Sequence, residues 1–381
     1  MVILLVGNRM REIDGLRGIA ALSILVHHAS FDAGTTFTTT TGRFFGRLDI
    51  GVSIFFILSG YLLFVPMVRS ILDGKDQDSI MMFWRRRLWR IVPSYWIALG
   101  ASIAIASTVN GRREMFFTGL LTHIYVPEFV LSGLSQSWTL AVEIAFYFVL
   151  PLYGRALGRL VKTQARNRKA LSLIAGLSAF GVLAYVFRLL VALSPRASNL
   201  PTNLWLPAHL DHFVLGMSIA VFGVWGSRNV AVRDLCLRVA RRRTSWRLWA
   251  FLLFVFVATQ WDMPLGLERT DVLRQSLLHA CYGVIGALLV APSAFSAFAQ
   301  RTSKVALERF MLPKIGSISY GIYLWHMIIL TSDVKFAAIP WNDFDGKLLT
   351  RLLVVIPASI VVAGINHLVV ERPIAARMSR S

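Results

Sequence analysis

Stretches of about 20 mostly apolar residues, the length that crosses a bilayer as a helix, recur through this chain. Ten segments qualify: 15–31, 48–68, 91–108, 138–154, 171–193, 207–225, 246–261, 276–296, 316–334 and 348–370. In hydrocarbon each backbone N–H and C=O must be satisfied within its own segment, so a chain of this kind folds as helices. Composition agrees. Of 381 residues, 56% are hydrophobic and 16% charged, against about 25% charged in soluble domains; mean hydropathy is +0.61. A soluble globular domain, a disordered chain, collagen, a coiled coil and a disulfide-stapled secreted fold are excluded. The expected fold is all-α: a polytopic transmembrane helix bundle of about ten spans, one membrane-embedded domain over residues 1–381 with its core in 10–373. A shorter apolar stretch near 115–126 reads as interfacial or re-entrant.

Charge supplies an orientation. Of the 40 Lys and Arg residues, 28 lie at the N-terminus, in every second loop and after residue 371, and only nine in the intervening loops. Positive residues are retained on the cytoplasmic side, so both termini are expected in the cytoplasm. The same asymmetry accounts for most of the net charge of +20, and no nucleic-acid partner is needed to explain it. Cys236 and Cys281 have neither metal-site nor disulfide spacing. Met1–Gly7 is too short an apolar run to be a signal peptide, and Met10 is an equally good start.

Ionisable residues inside spans cost about 2.5–3.5 kcal/mol on insertion scales and are functional candidates by default. Arg17 and His28 are eleven residues apart in the first span. That spacing returns to within about 20° of the same helix face, roughly 16 Å along the axis. Asp14 falls within about 60° of Arg17, whereas His27 points about 80° away. Asp14, Arg17 and His28 therefore form one polar stripe. It suits proton transfer by His28, or equally an interhelical hydrogen bond with a snorkelling arginine.

Other spans carry further polar sets. Glu143, in Ser137-Trp-Thr-Leu-Ala-Val-Glu, lies one turn from both Thr139 and Tyr147 and needs a partner in lipid. His28 or Arg17 are the expected partners. Arg87 and Arg90, at i and i+3 before the third span, anchor the helix or bind phosphates in a bidentate manner. Ser319, Tyr323 and His326 share a face that lines a polar cavity or belongs to an aromatic belt. His209 and His212 lack a convincing third ligand, so no metal site is expected. His123 and His279 have no reading. His367 and Glu371 read as a structural pair, with Pro373 ending the last helix.

Taken in order, these motifs resemble the bacterial acyltransferase-3 family. The resemblance is carried by Asp14-Gly-Leu-Arg-Gly with His28, by Phe55-Phe-Ile-Leu-Ser-Gly-Tyr-Leu-Leu, by the arginine pair before Pro93, by Ser137–Glu143 and by Ile318-Ser-Tyr-Gly-Ile-Tyr-Leu-Trp-His. It runs from about residue 10 to 373. It implies a multi-pass membrane O-acyltransferase of the bacterial cell (inner or plasma) membrane. An acetyl or other short acyl group would pass from acyl-CoA, with acetyl-CoA the default donor, to a hydroxyl of a glycan, lipid-linked or small-molecule acceptor. No cofactor is expected to be bound permanently, and membrane lipids are the other partner. By motif match, His28, Arg17 and Glu143 take catalytic positions and Arg87 and Arg90 bind the donor. Asp14, Ser59, Trp138, Ser319, Tyr323 and His326 are expected to line the substrate cavity. His28 would act as general base or accept the acyl group transiently, and Glu143 would orient it. One departure is Ile144, where family members often have a second acidic residue. The SGNH-type domain of some members is also missing from the sequence, so a second, soluble transfer step would need a separate protein. The rival reading is a transporter or flippase without acyl chemistry.

Overall fold

The computed structural model describes residues 2–38, 40–194, 201–259, 272–299, 311–331 and 348–380. Loop residues 301–310 and the ends of the expected seventh and ninth spans lie outside them. The described residues form an all-α bundle. Its principal helices are α1 (Val2–Asp32), α2 (Ile50–Asp73), α3 (Ile80–Ala106), α4 (Trp138–Leu160), α5 (Arg166–Leu193) and α6 (Leu210–Gly226). The order continues with α7 (Val230–Arg241), α8 (Arg243–Thr259), α9 (Val272–Ala294), α10 (Leu312–Ser317), α11 (Ser319–Thr331), α12 (Leu348–Asn366) and α13 (Arg372–Arg380).

Among the described residues, seven helices are long and apolar enough to cross a membrane. The expected first, seventh and ninth spans are helical, as α1, α8 and α11, but fall outside that set. Two reasons account for this. Arg17, His27 and His28 make α1 more polar, whereas α8 and α11 are short, at 17 and 13 residues. The stretch near 115–126 is broken into a short helix, Arg112–Gly119, and 3₁₀ turns at His123–Tyr125 and Pro127–Phe129. Pro373 does not end the last helix. The chain passes through a π turn at His367–Glu371 and resumes as α13 with Pro373 in its first turn, where no N–H is required.

Small residues let the central helices touch. A Cβ on Gly60 or on Gly216 would overlap the backbone of the facing helix, at Phe213 and Ile57 respectively, so α2 and α6 cross backbone to backbone. Phe213 then stacks between Phe56 and Phe146, at centroid distances of 4.7 and 3.9 Å. Gly316 brings α10 onto the carbonyl of Asp14, fixing the polar half of α1. Buried Glu12 accepts from Arg243 and Arg247 at 3.1 and 2.9 Å, tying α1 to α8. Arg17, Arg188 and Arg351, which also fall within expected spans, each meet an aspartate: Arg17 with Asp14 at 3.8 Å, Arg188 with Asp211 at 2.8 Å, and Arg351 with Asp32.

Candidate active site

α4 begins inside the bundle, which decides where its carboxylate goes. Gln136 and Ser137, just before it, are 2% and 0% exposed. Gln136 donates to Leu324 O at 3.0 Å and accepts on its own carbonyl from Tyr323 Oη at 2.7 Å. Thr139 Oγ1 lies 2.6 Å from the same Tyr323 hydroxyl. The Ser137–Glu143 motif is thereby fastened to α11, and Glu143 reaches the cavity at the centre of the bundle.

That cavity, narrow at about 120 Å³, is lined by Arg17, Arg87 and Arg90 together with the carboxylate-bearing Glu143. Ser59, Thr139, Tyr147, Ser319, Tyr320 and Tyr323 add further polar groups, and aliphatic and phenylalanine side chains supply the rest. Glu143 Oε1 accepts from Ser59 Oγ and from Tyr147 Oη, both at 2.7 Å. The predicted Tyr147 bond is present, and Thr139 is turned to Tyr323 instead. Arg87 Nε and Ser319 Oγ are buried without a hydrogen-bond partner. A buried donor left unsatisfied costs about 1–3 kcal/mol, more when charged. Three cations against one carboxylate, with a spare guanidinium N–H, make a site suited to an anion bearing several phosphate oxygens.

His28 stands beside this cavity rather than on its wall. Its Nδ1 lies 3.0 Å from His326 Nε2, and His326 Nδ1 lies 3.1 Å from Ile322 O. A carbonyl only accepts, so His326 holds its hydrogen on Nδ1. For neutral rings, His326 Nε2 is then the acceptor, His28 Nδ1 the donor, and the lone pair of His28 is left on Nε2. α11 links the cavity to the histidine pair. Tyr323 lines the cavity, and its ring centroid is 5.9 Å from that of His326, which is fully buried.

Several expectations are corrected by these positions. Glu143 does not orient His28: its hydrogen bonds go to Ser59 and Tyr147, and the orienting partner is His326. Asp14 is outside the cavity lining because its carboxylate turns to Arg17 and its carbonyl packs on Gly316. Trp138 is also outside it, its indole packing 5.5 Å from His209. His326 acts one layer behind the wall. Tyr320 and Gln136 were missed, although Tyr320 sits inside the Ile318–His326 motif and Gln136 directly precedes Ser137–Glu143.

His209 and His212 gain a third histidine. His279, on α9, brings one ring nitrogen from each of the three within 4.8 Å of the others. Each already donates to an oxygen: His209 to Asn203 O, His212 to His279 O and His279 to Asp211, at 2.9, 3.0 and 3.2 Å. The His212 and His279 rings stack at 3.9 Å with planes 9° apart. Their in-plane lone pairs run parallel instead of converging, and Arg188 already neutralises Asp211. The set reads as a hydrogen-bonded network joining α5, α6 and α9. His123 also acquires a place: fully buried, its Nε2 lies 3.2 Å from Ser137 Oγ at the start of α4. Desolvation pushes its pKa down to about 4.

The sequence profile of an acyltransferase domain family, acyltransferase-3, matches residues 10–365. The chain belongs to this family. It is an acyltransferase. Among its relatives is the acyltransferase MdmB of Streptomyces mycarofaciens, 27% identical over 407 aligned positions that cover 98% of this chain and 93% of the relative. The peptidoglycan O-acetyltransferase OatA of Listeria monocytogenes is 24% identical over 383 positions, covering 95% of this chain. This chain spans only 55% of OatA. No solved structure matches the chain. Each of the motifs that carry the resemblance contributes residues to the cavity, Arg17, Ser59, Arg87, Glu143 and Tyr323 among them, and two of the motifs supply the histidine pair.

Proposed function

We propose that this acyltransferase moves an acetyl or other short acyl group from acyl-CoA to a hydroxyl of a glycan, lipid-linked or small-molecule acceptor at the membrane. The observation that carries the donor assignment is the cavity itself: three arginines share its lining, and one of them, Arg87, keeps a buried N–H unsatisfied. The coenzyme A phosphates meet Arg87 and Arg90 from the cytoplasmic side, and Arg17 joins them. At roughly 16 Å from His28 along α1, Arg17 acts on donor phosphate in this scheme and not on the reacting carbonyl. The pantetheine arm follows the apolar wall toward Tyr323 and His28.

His28 Nε2 takes the proton of the acceptor hydroxyl, and the hydroxyl oxygen bonds to the thioester carbonyl carbon. The carbon–sulfur bond breaks, and the departing thiolate recovers the proton from His28. His326 holds the base in the tautomer that permits this. The O-acetyltransferase relatives support a hydroxyl acceptor, and the hydrophobic bundle supports action at a membrane.

Purified protein in lipid vesicles, supplied with radiolabelled acetyl-CoA and extracts of candidate acceptors, tests the reading. Acceptor-dependent release of free coenzyme A with label transferred to the acceptor is expected. Movement of acceptor across the bilayer with the thioester intact would overturn it in favour of transport.

A further inference from the structure

Basic side chains at the arginine-rich end do more than mark an orientation. They line three adjoining cavities. The central cavity shares Leu63 and Arg87 with a second of about 190 Å³, which adds Arg86, Arg155 and the carboxylate of Asp78. The second shares Ser70, Gln77 and Arg155 with a third of about 420 Å³. There Lys75, Arg155, Arg159, Lys162 and Lys169 face a single carboxylate, Asp76. Lining character changes along the series, from mostly apolar at the centre to strongly cationic at the outer end.

Retention of positive loops on one side explains how many cations there are. It does not explain why they surround a concave space that joins the central cavity through Arg87. The walls of that space are fixed by backbone contacts. Gln77 Nε2 donates to Gly154 O at 3.1 Å, Arg155 Nη2 to Asp78 O at 2.8 Å, and buried Lys169 Nζ to Ile71 O at 3.3 Å. Arg159 and Lys162 are exposed at its rim and make no ion pair among the described residues.

We infer that the outer cavity seats the 3′-phosphorylated nucleotide end of the donor. The diphosphate then passes Arg86, Arg87 and Arg155, and the arm enters the central cavity. The assignment rests on the acyl-CoA reading above and extends it to a subsite: Arg159 and Lys162 recognise the 3′-phosphate, and the donor is selected by a group far from its reacting carbon. The volume of the outer cavity lies within the range of small-molecule sites, about 300–1,000 Å³.

The test compares acetyl-CoA with 3′-dephospho-acetyl-CoA by calorimetry on the full chain in phosphatidylcholine nanodiscs. The unaltered protein should bind acetyl-CoA about tenfold more tightly than the dephospho form, the worth of one charge-assisted phosphate contact. The Arg159→Gln/Lys162→Gln double variant, altered only at exposed positions, should bind both alike, with affinity for the dephospho form unchanged. Equal binding of the two by the unaltered protein, or undiminished discrimination by the variant, would overturn the subsite while leaving the donor reading intact. Loss of discrimination when phosphatidylglycerol is added would assign the cations to lipid headgroups and overturn it also. Failure of acetyl-CoA to bind the unaltered protein would end the donor reading and the subsite together.

Discussion

His28 Nδ1 and His326 Nε2 stand 3.0 Å apart, joining residues 298 positions distant in sequence. Because His326 is itself committed to Ile322 O, this contact sets which nitrogen of His28 keeps a lone pair. His326 is thus a positioning residue. Replacing it with Phe leaves the His28 N–H without its acceptor and frees the wrong tautomer. The expected result of His326→Phe is a kcat lowered about 10- to 100-fold with donor KM unchanged. His326→Gln, which restores an acceptor oxygen, should recover part of the loss. A rise in donor KM with kcat unchanged would contradict this role.

Glu143 serves as the countercharge of the arginine cluster. Gln at this position keeps an oxygen for Ser59 and Tyr147 but removes the negative charge facing Arg17, Arg87 and Arg90. Phosphates should then bind more tightly in substrate and product alike. Glu143→Gln is expected to lower donor KM and kcat together, each by up to about tenfold, the worth of roughly 1.4 kcal/mol. Steady-state kinetics at low salt measure it, and a raised donor KM would refute it.

Acid should loosen the start of α4 through His123. Its folded pKa, about 4, lies below the ordinary histidine value of 6.5 because the ring is desolvated. The unfolded chain therefore binds the proton first. Stability from this group is complete above pH 6.5 and is lost as pH falls toward 4, by about 3 kcal/mol in total. Thermal unfolding in detergent between pH 4.5 and 7.5 should show His123→Gln losing less stability on acidification than the unaltered protein. Parallel curves would refute it.

Helix azimuth was legible in the sequence, and depth was not. Eleven residues at 100° each correctly turn Arg17 and His28 to the interior. The same arithmetic leaves them roughly 16 Å apart along the axis, so a single partner between them was never secured. Glu143 was matched to His28 or Arg17 because a carboxylate within a span needs a partner, and the sequence does not show the depth at which α4 begins. It starts inside the bundle, held by Gln136 on α11, and the carboxylate accepts from Ser59 and Tyr147 in the cavity that the arginines also line. His326 was visible as a polar residue on a shared face with Ser319 and Tyr323, but only tertiary packing reveals that it contacts α1. The outer cations looked like orientation signals because concavity has no signature in a one-dimensional charge count. His279 was silent for a similar reason, since its partners come from two other helices.

The crossing of α2 and α6 gives a stability test independent of the chemistry. A methyl group at Gly216 overlaps Ile57 O and cannot be relieved by a side-chain rotation, because the obstacle is backbone. Gly216→Ala should cost about 3 kcal/mol or more and lower the unfolding temperature in detergent. Gly100→Ala, on the outer face of α3 with open space around the new carbon, should leave it unchanged or raised. Equal behaviour of the two would contradict the close crossing.

The most direct measurement is the rate of acceptor-dependent coenzyme A release by His28→Ala in the same vesicles as the unaltered protein, with donor binding measured in parallel. If the imidazole is the base, the rate falls by about 10²–10⁴-fold while acetyl-CoA binds with unchanged affinity. Transfer at the unaltered rate by a folded, donor-binding His28→Ala protein would contradict it.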